Sequence, residues 1–194
     1  MSAPLASSPP VTRGEQKGGA PWGDARIHLP GAGVLADRLT HLDPDGRARM
    51  VDTSEKADTA RSAEAAGRVA MSREAFEAVK AGKGPKGDAL SVAEVAGIMA
   101  AKRTAELIPL CHPLSLSSVK VAIEPVDAAA AFDVRATARV TGKTGVEMEA
   151  LTAVAVACLT LYDMAKALDR SIVISDVRLL TKSGGKSGDW AREG

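Results

Sequence analysis

The sequence predicts an α+β fold in which helices pack on one face of an antiparallel sheet. Two neighbouring segments alternate apolar and polar residues around a short turn, and two longer segments repeat apolar residues at helical spacing. The elements follow one another as strand, helices, strand, strand, helix and strand. This order is typical of the split βαβ, or ferredoxin-like, arrangement.

The first half of this pattern carries a strand and two helices. Val69 and Met71 alternate with smaller residues in a short strand, and Ser72 can cap the helix that follows. A longer helix is predicted to begin after Asp88 and to end at Pro109, since proline cannot continue it. The apolar stripe expected to face the core from this helix comprises Val92, Val95, Ala96, Met99 and Leu107.

The second half carries a hairpin, a helix and a final strand. Residues 116–126 and 132–140 alternate apolar and polar side chains, as the two strands of a hairpin do. A helix is predicted over residues 145–168 and a strand over residues 172–180. The helix is expected to pack through Met148, Leu151, Ala155, Leu159 and Tyr162. Because both long helices are rich in alanine, we expect close approaches between helices and sheet.

Composition divides the chain of 194 residues into a tail and one domain. The first 46 residues hold 6 of the 10 prolines and 7 of the 18 glycines, a level typical of disorder. We therefore expect a disordered tail over residues 1–45. Residues 46–194 are expected to form a single ferredoxin-like domain, long enough to bury a core without disulfides.

Charge and residue usage exclude several classes of partner. The 25 Lys and Arg nearly cancel the 24 Asp and Glu, so no bulk basic charge predicts nucleic acid or a membrane surface as partner. Cys111 and Cys158 lack the spacing of a zinc site and are expected to be reduced thiols. No apolar stretch reaches 18 residues and no signal peptide is recognisable, which favours a cytoplasmic protein.

Two glycine- and lysine-rich segments, residues 141–145 and 182–188, could hold an anion through backbone N–H groups and lysines. Neither is a Walker loop, because Thr137 and Leu180 stand where that pattern needs glycine. Thr144 with Glu147 also fits a capping box at the start of the following helix.

Charged residues mark both ends of the same helix. Asp163 and Lys166 are three positions apart and share a face, as either an exposed ion pair or an acid–base pair. Glu149 lies 14 residues earlier, roughly 21 Å away along a helix. One small molecule cannot contact both ends of one straight helix. If both ends are functional, a neighbouring subunit is expected to complete the site.

Seven segments together carry a resemblance to a known family: Met50-Val51-Asp52, Lys86-Gly87-Asp88, residues 96–104, residues 107–114, residues 141–153, Leu161-Tyr162-Asp163-Met164 and residues 179–188. Through them the chain resembles the cyclic pyranopterin monophosphate synthase family of molybdenum cofactor biosynthesis over roughly residues 40–192, about four fifths of its length. The longest of them are ungapped, which makes chance agreement improbable.

The resemblance implies a lyase that converts 3′,8-cyclo-7,8-dihydroguanosine 5′-triphosphate to cyclic pyranopterin monophosphate and releases diphosphate. It implies that Asp163 is the catalytic acid or base, with Lys86 and Lys166 as its catalytic neighbours. The residues that it assigns to substrate binding are Leu110, Cys111, His112, Met148, Glu149, Glu147, Lys102, Lys182 and Lys186. It implies no resident cofactor or metal ligand and leaves a Mg²⁺ requirement open.

The resemblance also implies a homohexamer, a trimer of dimers, with active sites at subunit interfaces. This agrees with the separation of charged groups along the last helix. The alternative is a ferredoxin-like module that binds a nucleotide without turnover. The two differ at Asp163, because its removal would abolish turnover in an enzyme and leave affinity unchanged in a binding module.

Overall fold

The computed structural model describes residues 50–193, which are built around a five-stranded antiparallel sheet. The strands are β1 (Thr59–Ala70), β2 (Ser118–Val126), β3 (Ala131–Gly142), β4 (Val173–Ser183) and β5 (Trp190–Ala191). The helices are α1 (Arg73–Lys80), α2 (Ala89–Ala101), the single turn α3 (Thr104–Leu107) and α4 (Glu147–Ala165). The tail predicted over residues 1–45 lies outside the described residues.

The strand order in space is β2-β3-β1-β4-β5, with every neighbouring pair antiparallel. Its first four strands, with helices after β1 and after β3, form the ferredoxin-like arrangement, which confirms the predicted fold class. β1 begins earlier than the predicted strand. Its first part was not predicted because the alanines there show little alternation of apolar and polar residues. The short turn between β2 and β3 confirms the predicted hairpin.

Local hydrogen bonds set where the first helices begin and end. The Ser72 side chain accepts from the backbone N–H of Ala75, and Asp88 accepts from that of Ser91, so both predicted caps are confirmed. The prediction that the second helix runs to Pro109 is wrong, because α2 ends at Ala101. The buried Thr104 hydroxyl there donates to the Ala101 carbonyl oxygen, a local bond that competes with helix continuation.

The stripe predicted for α2 is wrong, because its large apolar residues Val92, Val95 and Met99 lie on the outer face of that helix. The stripe predicted for α4 is wrong at Met148 and Leu159, which are exposed, whereas Leu151 and Tyr162 pack against the core. In α2, Val95 and Met99 are 56% and 57% exposed, and in α4 Leu159 is 59% exposed. The buried face of α2 consists of small residues, and that of α4 combines small and large ones: Ala89, Ala93, Gly97, Ala100 and Ala101 in α2, and Ala150, Ala153, Val154, Ala157, Cys158, Leu161 and Met164 in α4. Small residues of α2 face α4 because the two helices approach each other too closely there for large ones.

Gly97 marks the closest approach of α2 to α4. A Cβ atom there would lie 2.8 Å from the Ala153 carbonyl oxygen and 3.2 Å from a methyl group of Val121. We expect Gly97→Val to lower the free energy of unfolding by about 1–3 kcal/mol, because the added carbons overpack the contact. Urea unfolding measures this change. Glu94→Ala, on the same helix, is the control, and equal destabilisation by both variants would contradict the close approach.

The core lies between the sheet and the paired helices α2 and α4. Phe76 and Phe132 pack at its α1 end with their ring centroids 4.9 Å apart and their planes tilted by 38°, and both are fully buried. α4 is long and apolar enough by composition to cross a membrane, but 56% of its most apolar window is buried within the fold. Its hydropathy is therefore that of a core helix that packs on the sheet and on α2.

Candidate active site

Asp163, in the last turn of α4, lies between two lysines. Lys86 Nζ is 2.6 Å from Asp163 Oδ2, and Lys166 Nζ is 2.6 Å from Asp163 Oδ1. Lys166 follows directly after α4, whereas Lys86 comes from the loop between α1 and α2. The backbone of Gly87 in that loop has a φ of +90°, a conformation that glycine adopts without strain. The pairing predicted for Asp163 and Lys166 is confirmed, and Lys86 joins it.

The two ammonium groups keep the Asp163 carboxyl ionised. Hydrogen bonds from Lys166 and then Lys86 lower its pKa to about 2. The same contact raises the pKa of Lys166. At neutral pH the cluster therefore presents one carboxylate acceptor between two cationic donors, all three about half exposed to solvent. Such a cluster can both accept and deliver a proton at a neighbouring molecule.

A cationic cleft of about 290 Å³ lies beside the other end of α4. Five basic side chains line it, with Glu147 as the acidic one: Lys56, Arg61, Lys143, Lys182 and Lys186. This balance of charge suits an anion with several negative oxygens. The structure brings Glu147, Lys182 and Lys186 together here, as the resemblance implies.

Lys56 and Arg61 are cleft residues that sequence reasoning missed. No motif marks either of them, and Arg61 lies on a strand whose start was not recognised. Its Nε donates to the Gly142 carbonyl oxygen at 2.9 Å, so it also holds the loop before α4. Lys143 belongs to the first glycine- and lysine-rich segment, which was the available signal for it, and its Nζ donates to the Ser54 carbonyl oxygen at 2.7 Å.

The capping box predicted for Thr144 and Glu147 is wrong. α4 begins at Glu147 itself, so this residue occupies the first helical position rather than the third. Val146 is the N-cap, and within the described chain no side chain caps this end. The Glu147 carboxylate instead folds over Gly145, where a Cβ atom would lie 1.9 Å from its Oε2. Glu147 is thereby available to the cleft.

A second, smaller cleft of about 120 Å³ contains Lys102, His112 and Glu149. His112 Nε2 lies 2.8 Å from the Val51 carbonyl oxygen, which ties the ring to the segment before β1. Glu149 is only 4% exposed, and burial, with a smaller effect from Glu147, raises the pKa of its carboxyl. The candidate binding residues Lys102, His112 and Glu149 therefore share one cleft.

The remaining predicted binding residues border this region. Cys111 is half-buried, and burial and the Glu149 carboxylate raise the pKa of its thiol. Leu110 and Met148 are partly exposed apolar side chains. Cys158, in contrast, is fully buried in the core, where burial raises its pKa to about 12.

The predicted site residues form two groups at opposite ends of α4. Glu147 and Glu149 begin the helix beside the two clefts, and Asp163 lies in its last turn. The 14 residues between Glu149 and Asp163 correspond to roughly 21 Å at 1.5 Å per residue. One chain thus supplies a cationic binding region and an acid–base cluster that are too far apart to act on the same small molecule.

Comparison with known proteins identifies the family. A family model described as the MoaC family matches residues 50–185. A cyclic pyranopterin monophosphate synthase from Chloroflexus aggregans is 59% identical over 157 residues, which are 81% of this chain and 95% of that protein. Proteins of the same name from Trichodesmium erythraeum and Heliobacterium modesticaldum are 59% and 57% identical, over 78% and 81% of this chain and 92% and 99% of their own lengths. The chain belongs to the MoaC family.

Proposed function

We propose that this protein is a cyclic pyranopterin monophosphate synthase in molybdenum cofactor biosynthesis. It converts 3′,8-cyclo-7,8-dihydroguanosine 5′-triphosphate to cyclic pyranopterin monophosphate and diphosphate. The observation that carries the proposal is the Asp163 carboxylate, 2.6 Å from both Lys86 and Lys166, in a chain whose relatives bear this name. No other cluster among residues 50–193 presents a carboxylate hydrogen-bonded by two lysines.

The Asp163 cluster supplies the proton transfers that rearrangement of the guanine-derived ring requires. Bonds between carbon and nitrogen break and re-form during that rearrangement, and each leaving nitrogen needs a proton. Asp163 is the acceptor, and Lys86 and Lys166 are donors on either side of it. Because the pKa of Asp163 is lowered to about 2, the carboxylate is ionised at neutral pH and has a free lone pair with which to accept a proton.

The cationic cleft binds the phosphates. In the cyclisation step a sugar hydroxyl attacks the α-phosphorus, a new oxygen–phosphorus bond forms, and the bond to the departing diphosphate breaks. The hydroxyl proton passes to a base, and the leaving group carries away the negative charge. Lys182 and Lys186, with Lys56, Arg61 and Lys143 around them, can stabilise that charge. His112, Glu149 and Lys102 bind the remainder of the substrate in the adjoining cleft.

The protein assembles as a homohexamer, a trimer of dimers with interfacial active sites. At each interface the end of α4 from one subunit meets the start of α4 from another. Two observations support it: the roughly 21 Å between Glu149 and Asp163, and the exposed apolar surface formed by Val92, Val95, Met99 and Leu159. A surface of this kind is typical of contacts between subunits. We place the enzyme in the cytoplasm, with a nucleotide-derived small molecule as substrate and neither nucleic acid nor membrane as partner.

The test is to supply the purified protein with the cyclic dihydro-GTP and to identify the products by mass spectrometry and a diphosphate assay. The proposal predicts one diphosphate per pyranopterin formed. A folded, oligomeric protein that binds the compound and forms neither product would instead be the nucleotide-binding module. Binding of the compound without turnover would therefore contradict the proposed synthase activity.

A further inference from the structure

The segment that follows β4 lines one side of the cationic cleft and then pairs with β4 at the edge of the sheet. β4 ends at Ser183, the chain turns through residues 184–189, and β5 pairs antiparallel with β4, Lys182 lying opposite Trp190. β5 has only two residues, whereas a typical strand has about five or six and correspondingly more ladder hydrogen bonds. Side-chain contacts must therefore contribute to holding residues 184–191 against β4.

Asp189 closes the turn at its base. Its Oδ1 accepts a hydrogen bond from the Gly184 backbone N–H at 3.0 Å, and the Gly188 N–H donates to the Gly185 carbonyl oxygen at 3.1 Å. Gly184 and Gly185 have φ values of +85° and +78°. Glycine has the widest conformational freedom of any residue, so side-chain contacts are needed to keep the turn in one conformation. The Asp189 carboxylate supplies one by linking the two ends of the turn, and the Ser187 hydroxyl supplies another by accepting from Lys182 Nζ.

Arg192 holds the end of the segment against β4. Its backbone N–H donates to the Leu180 carbonyl oxygen at 2.8 Å, and its Nε donates to the Leu179 carbonyl oxygen at 2.8 Å. Its guanidinium also lies 5.8 Å from the centre of the Trp190 ring. These three contacts fix β5 at the edge of the sheet.

The position of the turn determines the shape of the cleft. A Cβ atom on Gly184 would lie 2.2 Å from the Ala60 carbonyl oxygen, and one on Gly185 would lie 2.1 Å from an Arg61 nitrogen. The turn thus rests directly on β1 and on a cationic residue of the cleft. Lys186 in the turn and Lys182 on β4 directly before it line the same cleft. A movement of the turn would therefore move Lys186, and a shift of the end of β4 would move Lys182, relative to Arg61.

We propose that Asp189 and Arg192 are positioning residues, and that residues 189–192 form a clasp that sets where Lys182 and Lys186 meet the substrate phosphates. This inference rests on the proposed function for the identity of the phosphates. The match to the family model ends at residue 185, so the clasp lies beyond it. Neither Asp189 nor Arg192 lines the cleft, and both act through the turn and the strand that carry the lysines.

The kinetic test compares Asp189→Ala with Asp189→Asn. Alanine removes the acceptor for the Gly184 N–H, and we expect KM to rise about tenfold while kcat changes by less than about twofold. Asparagine keeps an acceptor oxygen and should restore KM to near the wild-type value. Glu124→Ala, which removes an exposed carboxylate from β2, is the matched control. An unchanged KM in Asp189→Ala, or an equal rise in both Asp189 variants, would overturn the clasp.

A binding measurement separates this inference from the proposed function. Calorimetric titration with inorganic diphosphate should show about tenfold weaker binding to Asp189→Ala and Arg192→Ala than to the wild type and Asp189→Asn. Amide hydrogen exchange should be faster over residues 180–188 in the two alanine variants. If the wild type fails to turn over, the proposed function fails and these readouts still test the clasp. Equal diphosphate affinity and equal exchange in all four proteins would contradict it.

Discussion

Replacing Asp163 by Asn should reduce kcat by roughly 10²–10⁴-fold, the usual contribution of a general acid or base. The amide keeps the size of the side chain but cannot accept a proton. Protons can therefore no longer pass through this side chain to or from Lys86 and Lys166. Substrate affinity should be retained, since the binding region lies at the other end of α4. Steady-state kinetics together with equilibrium substrate binding measures both quantities.

The control is Asp127→Asn. Asp127 is also an exposed aspartate paired with a lysine, Lys80, but it lies in the turn between β2 and β3. Its replacement should leave kcat within about twofold of wild type. If Asp163→Asn behaved like Asp127→Asn, the Asp163 cluster would be an ordinary surface ion pair and the assignment of the acid–base group would be wrong.

Replacing Lys166 by Met should lower kcat by roughly 100-fold and raise the pKa of Asp163 from about 2 toward the ordinary value of an aspartate. The sign follows from the contacts, because Lys166 is the largest contributor to the lowered pKa and its removal destabilises the carboxylate. Lys86→Met should raise the pKa less. NMR titration of the Asp163 carboxyl carbon measures the shift, and stopped assays measure kcat.

Lys80→Met provides the comparison for the lysine variants, because Lys80 is paired with Asp127 away from the cluster. It should affect neither the Asp163 titration nor turnover. A wild-type Asp163 that titrates at an ordinary aspartate pKa would contradict the two hydrogen bonds. A Lys166→Met enzyme of normal kcat would remove Lys166 from the proton transfers.

The order of elements was predictable from the sequence, but the helix faces were not. Alternation in the hairpin and the caps at Ser72 and Asp88 depend on local chemistry, which short segments retain. The inward face of α2 depends instead on its distance from α4, which is set by Gly97 against Ala153. Large apolar residues such as Met99 then lie outside. Hydrophobic periodicity identifies an apolar stripe, but it does not distinguish a core from a contact between subunits.

The site shows the same division between local and distant effects. Asp163 and Lys166 were recognisable because three residues along a helix bring side chains together. Lys86 comes from a loop 77 residues away from Asp163, and only the resemblance to a family suggested it. Arg61 reaches its cleft from β1, where its side chain donates to the carbonyl oxygens of Gly142 and Lys143, through strand pairing that sequence spacing does not reveal. The capping box that the sequence allowed for Glu147 does not form, because the helix begins two residues later than predicted.

In the proposed assembly, the acid–base cluster of one subunit acts on a substrate held in the cationic cleft of another. Mixing two impaired chains tests it directly: Asp163→Asn, and the double variant Lys182→Ala/Lys186→Ala. Neither should turn over appreciably alone at low substrate concentration. After subunit exchange, verified by native mass spectrometry, half of the pairs are mixed and one of two sites in each is intact, so about a quarter of the wild-type rate should return. A fully exchanged mixture no more active than its parents would contradict a site built from two subunits.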